Sequence, residues 1–387
     1  MRISIGIDAS NIRAGGGVTH LQQLLTSADP DRSVIDRVVV YGGFASLEKL
    51  PERDWLHKTH ISLLDGPLVL RSFWQQFFLP KLLICDGCNV LFSPGGTLPF
   101  RLSLPGVTMS QNMLPFESGE ARRFGVGSLM WFKLKILRWA QSRSMKKASG
   151  LIFLTDYAKQ HVLKEIGPCR AIITTIPHGI EDRFFQYPRK ARSINDFSWR
   201  SPFRFLYVSI IDVYKHQWQV ARSVWRLRSK GYPVVVDFIG PSNARALKFL
   251  MQTKKEIDPQ GDFIFYRGPI RFDDLHAAYH DADTFIFASS CENLPNILLE
   301  AMASGLPIAS SDRGPMTEVL GKNGEYFNPE DELSIADSLE KLIKSASLRE
   351  QKAKGAYLRA QEYSWRQCAK DTLTFIADIA NADRMKC

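Results

Sequence analysis

The chain has 387 residues, 45% of them hydrophobic and 23% charged, which is the profile of a globular protein with room for two domains of ordinary size. Its apolar stretches, such as residues 72–84, are interrupted well short of the roughly 18 residues that span a bilayer, which argues against a transmembrane helix. The formal charge of +10 calls for an anionic partner: phosphorylated substrates, nucleic acid or acidic lipid.

The start, residues 1–8, reads as a short buried strand entering a glycine loop and has neither the apolar run nor the cleavage site of a secretory signal, so a cytoplasmic location is expected. β-rich runs follow at 3–7, 38–41, 90–92, 106–109 and 151–154, separated by longer amphipathic stretches. That alternation predicts a parallel sheet covered by helices on both faces. The loop after the first run, with Gly15, Gly16 and Gly17, leads into a helix bearing Val18, Leu21, Leu24 and Leu25. It reads either as a tight turn or as a place where backbone N–H groups meet a ligand. Its spacing is not that of a dinucleotide-binding GxGxxG.

Residues 119–148 carry eight Lys and Arg interleaved with Trp131, Phe132 and Trp139. This predicts a basic helix that either lies on an anionic membrane surface or packs on the sheet with a solvated face, and the two are compatible. Residues 187–202 are polar and bracketed by prolines, as an interdomain linker would be. After them the alternation restarts, with strands expected at 203–209, 234–239, 263–266, 284–288 and 307–310. The expected architecture is α/β: two Rossmann-like, doubly wound domains over 1–190 and 200–362, with ligands bound beyond the carboxyl ends of strands in the cleft between them. Six dispersed cysteines make no disulfide framework. Cys85 and Cys88 form one CxxC without a second pair, so both are expected to be buried structural thiols.

The segment 291–308, Cys-Glu-Asn-Leu-Pro-Asn-Ile-Leu-Leu-Glu-Ala-Met-Ala-Ser-Gly-Leu-Pro-Ile, carries the most specific signal. It predicts a loop, a helix ending at Gly305 and a strand after Pro307, with Glu292 before the helix and Glu300 inside it. This segment resembles the E-x7-E element of the retaining glycosyltransferases of group 1, or family 4, which have the two-domain GT-B fold. The resemblance runs from the Gly15 loop to Tyr363-Ser364-Trp365-Arg366, which is similar to the start of a closing helix, 363–387, that packs back on the first domain.

The resemblance implies that Glu292 binds hydroxyls of a donor sugar and Glu300 those of the nucleotide ribose, both jobs for a carboxylate that accepts two hydrogen bonds. Asn293, Leu294 and Asn296 would complete that loop, and Gly16 and Gly17 would face the donor phosphates. It further implies a cationic clamp on the diphosphate in the loop after residue 209. Lys215 matches the usual lysine, whereas Ile210 stands where relatives carry arginine; either Lys215 works with backbone dipoles, or Arg313 or His216 substitutes. Relatives often place a His-Asp pair where this chain has Gln111-Asn112, whose amides bind hydroxyls but cannot act as a base. His178, in a Pro-His-Gly turn, is expected as a turn or cleft residue.

The implied reaction is transfer from a nucleoside-diphosphate sugar to a hydroxyl of a glycan acceptor, with Lys215 and Glu292 closest to the chemistry and no metal or other cofactor. The Gly-rich start and the Tyr214–Gln217 loop resemble bacterial enzymes of O-antigen, lipopolysaccharide or exopolysaccharide assembly. Such enzymes suggest GDP-mannose as donor, a lipid-linked acceptor and a peripheral site on the inner face of the cytoplasmic membrane. Rival readings are a nucleotide-sugar epimerase or phosphorylase of the same architecture, and a non-enzymatic polyanion binder; no nucleic-acid-binding module is recognisable, so nucleic acid is not an expected partner.

Overall fold

The computed structural model describes residues 2–13 and 15–384; Ala14 of the glycine loop and residues 385–387 of the expected closing segment lie outside the described residues. The chain divides into two compact units, one of 1–116, 127–179 and 363–387, the other of 117–126 and 180–362.

Along the first unit run β1 (Ile3–Asp8), α1 (Gly16–Ser27), β2 (Ile35–Gly42), α2 (Phe44–Leu47), β3 (Leu56–His60), α3 (Leu68–Phe77), α4 (Leu79–Cys85), β4 (Val90–Ser93) and β5 (Gly106–Met109). The chain then forms α5 (Ser118–Arg123), which belongs to the second unit, before α6 (Leu129–Lys147), β6 (Gly150–Phe153), α7 (Asp156–Ile166) and β7 (Ile172–Thr175). The strands make one parallel sheet in the order β3-β2-β1-β4-β5-β6-β7.

The second unit holds β8 (Phe203–Val208), α8 (Gln217–Ser229), β9 (Val234–Ile239), α9 (Ala244–Ile257), β10 (Ile264–Gly268), α10 (Leu275–His280) and β11 (Thr284–Phe287). It continues through α11 (Asn296–Ala303), β12 (Ile308–Ser311), α12 (Met316–Leu320), β13 (Gly324–Phe327), α13 (Glu332–Lys344) and α14 (Ala346–Ala360). Its parallel sheet has the order β10-β9-β8-β11-β12-β13, and the last helix, α15 (Trp365–Arg384), belongs to the first unit.

The central strands are predominantly apolar because helices cover both faces; β1, β8, β9 and β11 are almost fully buried. Side-chain caps from Thr155, Asn243 and Asp331 start α7, α9 and α13. In each sheet the strand order reverses beside the first strand of the unit, between β1 and β4 and between β8 and β11. Crevices at the carboxyl ends of strands open at such reversals, so the loops after β1, β4, β8 and β11 are where ligands are expected.

The structure differs from the sequence reading in several places. The strands β3, β7 and β13 lie at sheet edges and were not anticipated. The helix expected over 119–148 is broken between α5 and α6, where Gly125 and Gly127 take positive φ. The expected first domain to residue 190 ends as a contact unit at Gly179, since Gln186 N–H donates to Ala303 O at 2.9 Å. The expected linker 187–202 packs within the second unit: Arg189 donates to His280 O at 2.8 Å and the Phe197 ring packs at a tilt on Phe203 at 5.0 Å. Cys88 is buried, but Cys85, also expected to be buried, is exposed.

Candidate functional site

In the second unit, β8 delivers the loop 209–216 and β11 delivers the loop 288–295 to the same edge of the sheet. Lys215 is 5% exposed, and its ammonium pairs with the Glu292 carboxylate. Tyr207 O–H donates to Lys215 O at 2.6 Å, fixing the loop from below. The Lys215 Nζ lies 5.1 Å from the Tyr214 ring and 5.2 Å from that of Phe287, within cation–π range. Burial pushes the Asp212 carboxyl and the Tyr214 hydroxyl up, so Tyr214 stays a neutral donor. The two residues assigned nearest the chemistry are thus brought together as a buried ion pair.

Next to Lys215, His216 occupies the left-handed region at φ 52 and caps α8 from a fully buried position. Burial, reinforced by Arg123, holds its pKa down to about 4, so its ring is neutral near pH 7. Its Nε2 is 2.9 Å from Ser290 Oγ, whose hydroxyl donates to Glu120 at 2.7 Å. With the serine proton committed there, the imidazole N–H donates to Ser290.

Glu120 and Arg123 come from α5, the short helix that leaves the first half of the chain to join this unit. Arg123 pairs with Glu120 at 2.8 Å and Glu330 at 2.7 Å, Arg245 donates to Phe124 O at 3.2 Å, and Phe124 packs on Tyr214 at 6.4 Å. Sequence reasoning missed this contribution because nothing in residues 117–126 signals a change of unit. Arg313, proposed as a stand-in for the arginine missing at Ile210, is half exposed, pairs with Asp312 at 3.3 Å, and also lowers the His216 pKa. Ile210 itself is 37% exposed.

Glu300 sits on α11 and is 8% exposed. Its carboxyl accepts a hydrogen bond from Tyr279 of α10 at 2.9 Å, yet burial still pushes its pKa up to about 8. Near neutral pH the group is therefore largely protonated and offers one donor and one acceptor. Its described partner is Tyr279, not Lys215 or Glu292. The sequence reading singled out Glu300 but not Tyr279, which arrives from the preceding helix. Asn293 and Leu294 are buried in the loop, and Asn296 opens α11 half-buried.

In the first unit, the glycine loop and the loop after β5 meet. A Cβ on Gly17 would lie 3.3 Å from Gln111 Oε1, whereas Gly16 faces open space. Asn112 accepts from Leu114 N–H at 3.0 Å, an Asx turn that shapes the second loop. Beneath them Asp8, 2% exposed at the end of β1, accepts from Gln75 at 2.5 Å, from Ser93 at 3.2 Å and from Ser10 N–H at 2.9 Å, tying the loops after β1 and β4 to α3. The sequence reading did not find Asp8, although a lone acid closing an apolar strand was its signal.

His178 is not presented to solvent. It is 5% exposed, its ring 4.5 Å from His20 and stacked on Trp365 at 5.4 Å, where the Gly179 backbone abuts that of Trp365. The turn it belongs to lies where α15 packs on α1. Among the described residues no group of three or more His, Cys, Asp or Glu is arranged to hold a metal ion, and no helix is long and apolar enough to cross a membrane.

Residues 202–345, within the second unit, match the family model described as Glycosyl transferases group 1. Among curated proteins, the chain is 33% identical over 106 residues to the sulfoquinovosyl transferase of Arabidopsis thaliana, covering 26% of this chain and 21% of that protein. It is 30% identical over 111 residues to the O-antigen chain mannosyltransferase B of Escherichia coli, covering 29% of each. The matched segments thus span less than a third of the length of these two relatives. Among solved structures, the sucrose-phosphate synthase of Thermosynechococcus elongatus superposes with a TM-score of 0.75 at 14% identity, covering 98% of this chain and 100% of that one. The fold is that of the GT-B glycosyltransferases, with two parallel-sheet α/β domains of seven and six strands.

Proposed function

We propose that this protein is a glycosyltransferase that moves a sugar, with retention at the anomeric carbon, from a nucleoside-diphosphate sugar to a hydroxyl of a glycan acceptor. The observation that carries the reading is the buried Lys215–Glu292 pair at the strand-order reversal of a unit matching the glycosyl transferases group 1 model. Lys215 stabilises the charge that collects on the diphosphate as the bond from the anomeric carbon to the phosphate oxygen breaks. Glu292 then exchanges its ion pair for hydrogen bonds from the donor-sugar hydroxyls, and Glu300 binds the ribose. Gln111 and Asn112 bind hydroxyls without taking a proton. The acceptor oxygen bonds to the anomeric carbon on the face the diphosphate leaves, and its proton passes to the departing phosphate oxygen. The reading assigns no metal and no other cofactor.

The finer reading is mannose from GDP-mannose and a lipid-linked acceptor of O-antigen, lipopolysaccharide or exopolysaccharide synthesis, which the likeness to the Escherichia coli mannosyltransferase supports. Peripheral contact with anionic membrane is supported by α6, where Leu129 is 91%, Ile136 67% and Trp139 59% exposed among basic residues. Phe100, also exposed, packs its ring on Trp139 at 6.2 Å and donates its N–H to Gln76 of α3 at 2.7 Å, and Phe73 and Phe77 of that helix are exposed as well.

The test is thermal stabilisation by GDP-, UDP-, ADP- and dTDP-sugars, comparing the native chain with Glu300→Ala, because a ligand that binds only the folded state raises the melting temperature. A shift with one nucleotide class that the substitution abolishes is expected. No shift with any of them refutes the reading and favours a polyanion binder, and turnover of the donor without acceptor or hydrolysis favours an epimerase.

A further inference from the structure

The second unit has a cavity of about 450 Å³ at the opposite edge of its sheet from Lys215 and Glu292. Its walls are the amino ends of the strands: Pro202 and Arg204 where β8 begins, Asp283 just before β11 and Pro307 just before β12. One strand length of β8, about 20 Å, separates it from the Lys215 loop. Six basic side chains line it against three acidic ones, a formal excess of three positive charges.

Those cations differ in what they are committed to. Arg349 is 3% exposed and spends its guanidinium on backbone carbonyls, Ile343 O at 2.8 Å among them. Arg189 is held by His280 O and Asp283, and Arg204 by Asp237 at 2.6 Å. The acids are largely occupied too: Asp283 accepts from Arg204 N–H at 2.9 Å, and Glu350 from Ala191 N–H at 3.0 Å. Of the three lining acids only Asp283 has a described ion pair, and Asp281, exposed, has no side-chain hydrogen bond among the described residues either.

Lys190 and Arg200, both exposed, make no side-chain hydrogen bond or ion pair among the described residues. The Arg192 guanidinium sits over the Phe197 ring, 4.0 Å from its centroid, and its Nη2 is at the long distance of 3.8 Å from Asp283, so it keeps donors for a ligand. Three cations with free donors therefore converge on a cavity whose floor is apolar, built of Phe197, Leu306 and Ala353. Guanidinium groups pair two N–H donors with two oxygens of a phosphate, and the volume falls in the range of about 300–1,000 Å³ that small-molecule sites occupy.

We propose that this cavity binds a phosphorylated small molecule, its phosphate held by Lys190, Arg192 and Arg200 and its carbon skeleton resting on Phe197 and Leu306. The site is separate from the loops that carry Lys215 and Glu292 and does not depend on the reading given to them. Its position gives it a route to α11: the turn Gly305–Pro307 that lines it ends the helix bearing Glu300.

The test is calorimetric titration of the full chain with fructose 1,6-bisphosphate and with inorganic phosphate at physiological salt. The native protein, Lys215→Ala and the pair Lys190→Ala/Arg200→Ala are compared; the last removes side chains without intramolecular partners, so folding is preserved. Saturable binding is expected in the native protein and in Lys215→Ala, weakened at least about tenfold in the double variant. Absence of saturable binding to the native protein overturns the proposal. So does binding that Lys215→Ala abolishes and the double variant retains, which would place the anion at the Lys215 loop.

Discussion

Replacing Lys215 by Met tests whether Lys215 and Glu292 depend on each other as a desolvated ion pair. The lysine and its partner Glu292 keep only 6% and 16% of their side-chain surface exposed. Removing the cation leaves Glu292 charged in a largely dry loop, a change that costs about 3–5 kcal/mol in comparable buried pairs. Because Glu292 retains some exposure and can turn toward water, the lower end, about 3 kcal/mol, is expected. Lys215→Met/Glu292→Gln removes both charges and should recover most of that loss, giving a coupling energy of about 2 kcal/mol. Hydrogen exchange at the β8 and β11 amides reads this unit by itself. The single substitution should speed exchange on the order of a hundredfold, and the double should bring it back to within about tenfold of the native rate. A single-variant effect below about 0.5 kcal/mol, or a double variant equal to the sum of the singles, would refute the argument that the pair is desolvated and mutually dependent.

Two further outcomes follow from the geometry. Burial, then His178, holds the His20 pKa well below its ordinary 6.5, so both states are neutral above that pH and stability is intact there. As pH falls below 6.5 the unfolded chain takes up a proton that the folded unit excludes, and the first unit should lose about 1.4 kcal/mol per pH unit until the depressed value is reached; melting curves at pH 7.5 and 5.5 should show a smaller difference in His20→Phe. Gly305→Ala should destabilise the second unit by more than the roughly 1 kcal/mol of a left-handed alanine, because φ is +65 and the new Cβ would press on Gln186 O at 2.6 Å; urea midpoints check this, and an unchanged midpoint would contradict it.

The central strands were legible because burial on both faces writes a nearly continuous apolar run, as in β9, Val-Val-Val-Asp-Phe-Ile, where Asp237, paired with Arg204 and Arg267, is the one polar residue. The strands missed, β3, β7 and β13, read Leu-His-Lys-Thr-His, Ile-Ile-Thr-Thr and Gly-Glu-Tyr-Phe, and are edge strands with one side unpaired, so nothing forces an apolar run. At the site, Glu292 and Glu300 stood out because their motif combines charge with an apolar helix, and Lys215 because the loop after the first strand of the second unit resembles the family's. Asp8, Tyr279 and Glu120 act through partners 67, 21 and 170 residues away, separations that no local pattern records. His178 was expected in a turn or cleft, but its ring partner could not be read, because a Pro-His-Gly turn looks the same whether its ring meets water or a tryptophan 187 positions later.

The assignment of α15 to the first unit bears on how the chain is made. Phe375 and Ile379 press on Gly150 of β6 closely enough that a Cβ there would lie 3.0 Å from each, so a strand made before most of the second unit waits for a helix made after it. Synthesis proceeds from the amino terminus, and the unit begun first is therefore completed last. During translation its sheet stays uncovered along that face while the second unit emerges, whereas α5, made early, joins that second unit as soon as β8 and β11 have formed. A nascent chain stalled before residue 363 would expose the apolar face that α15 covers, and that interval is when a chaperone would be needed most.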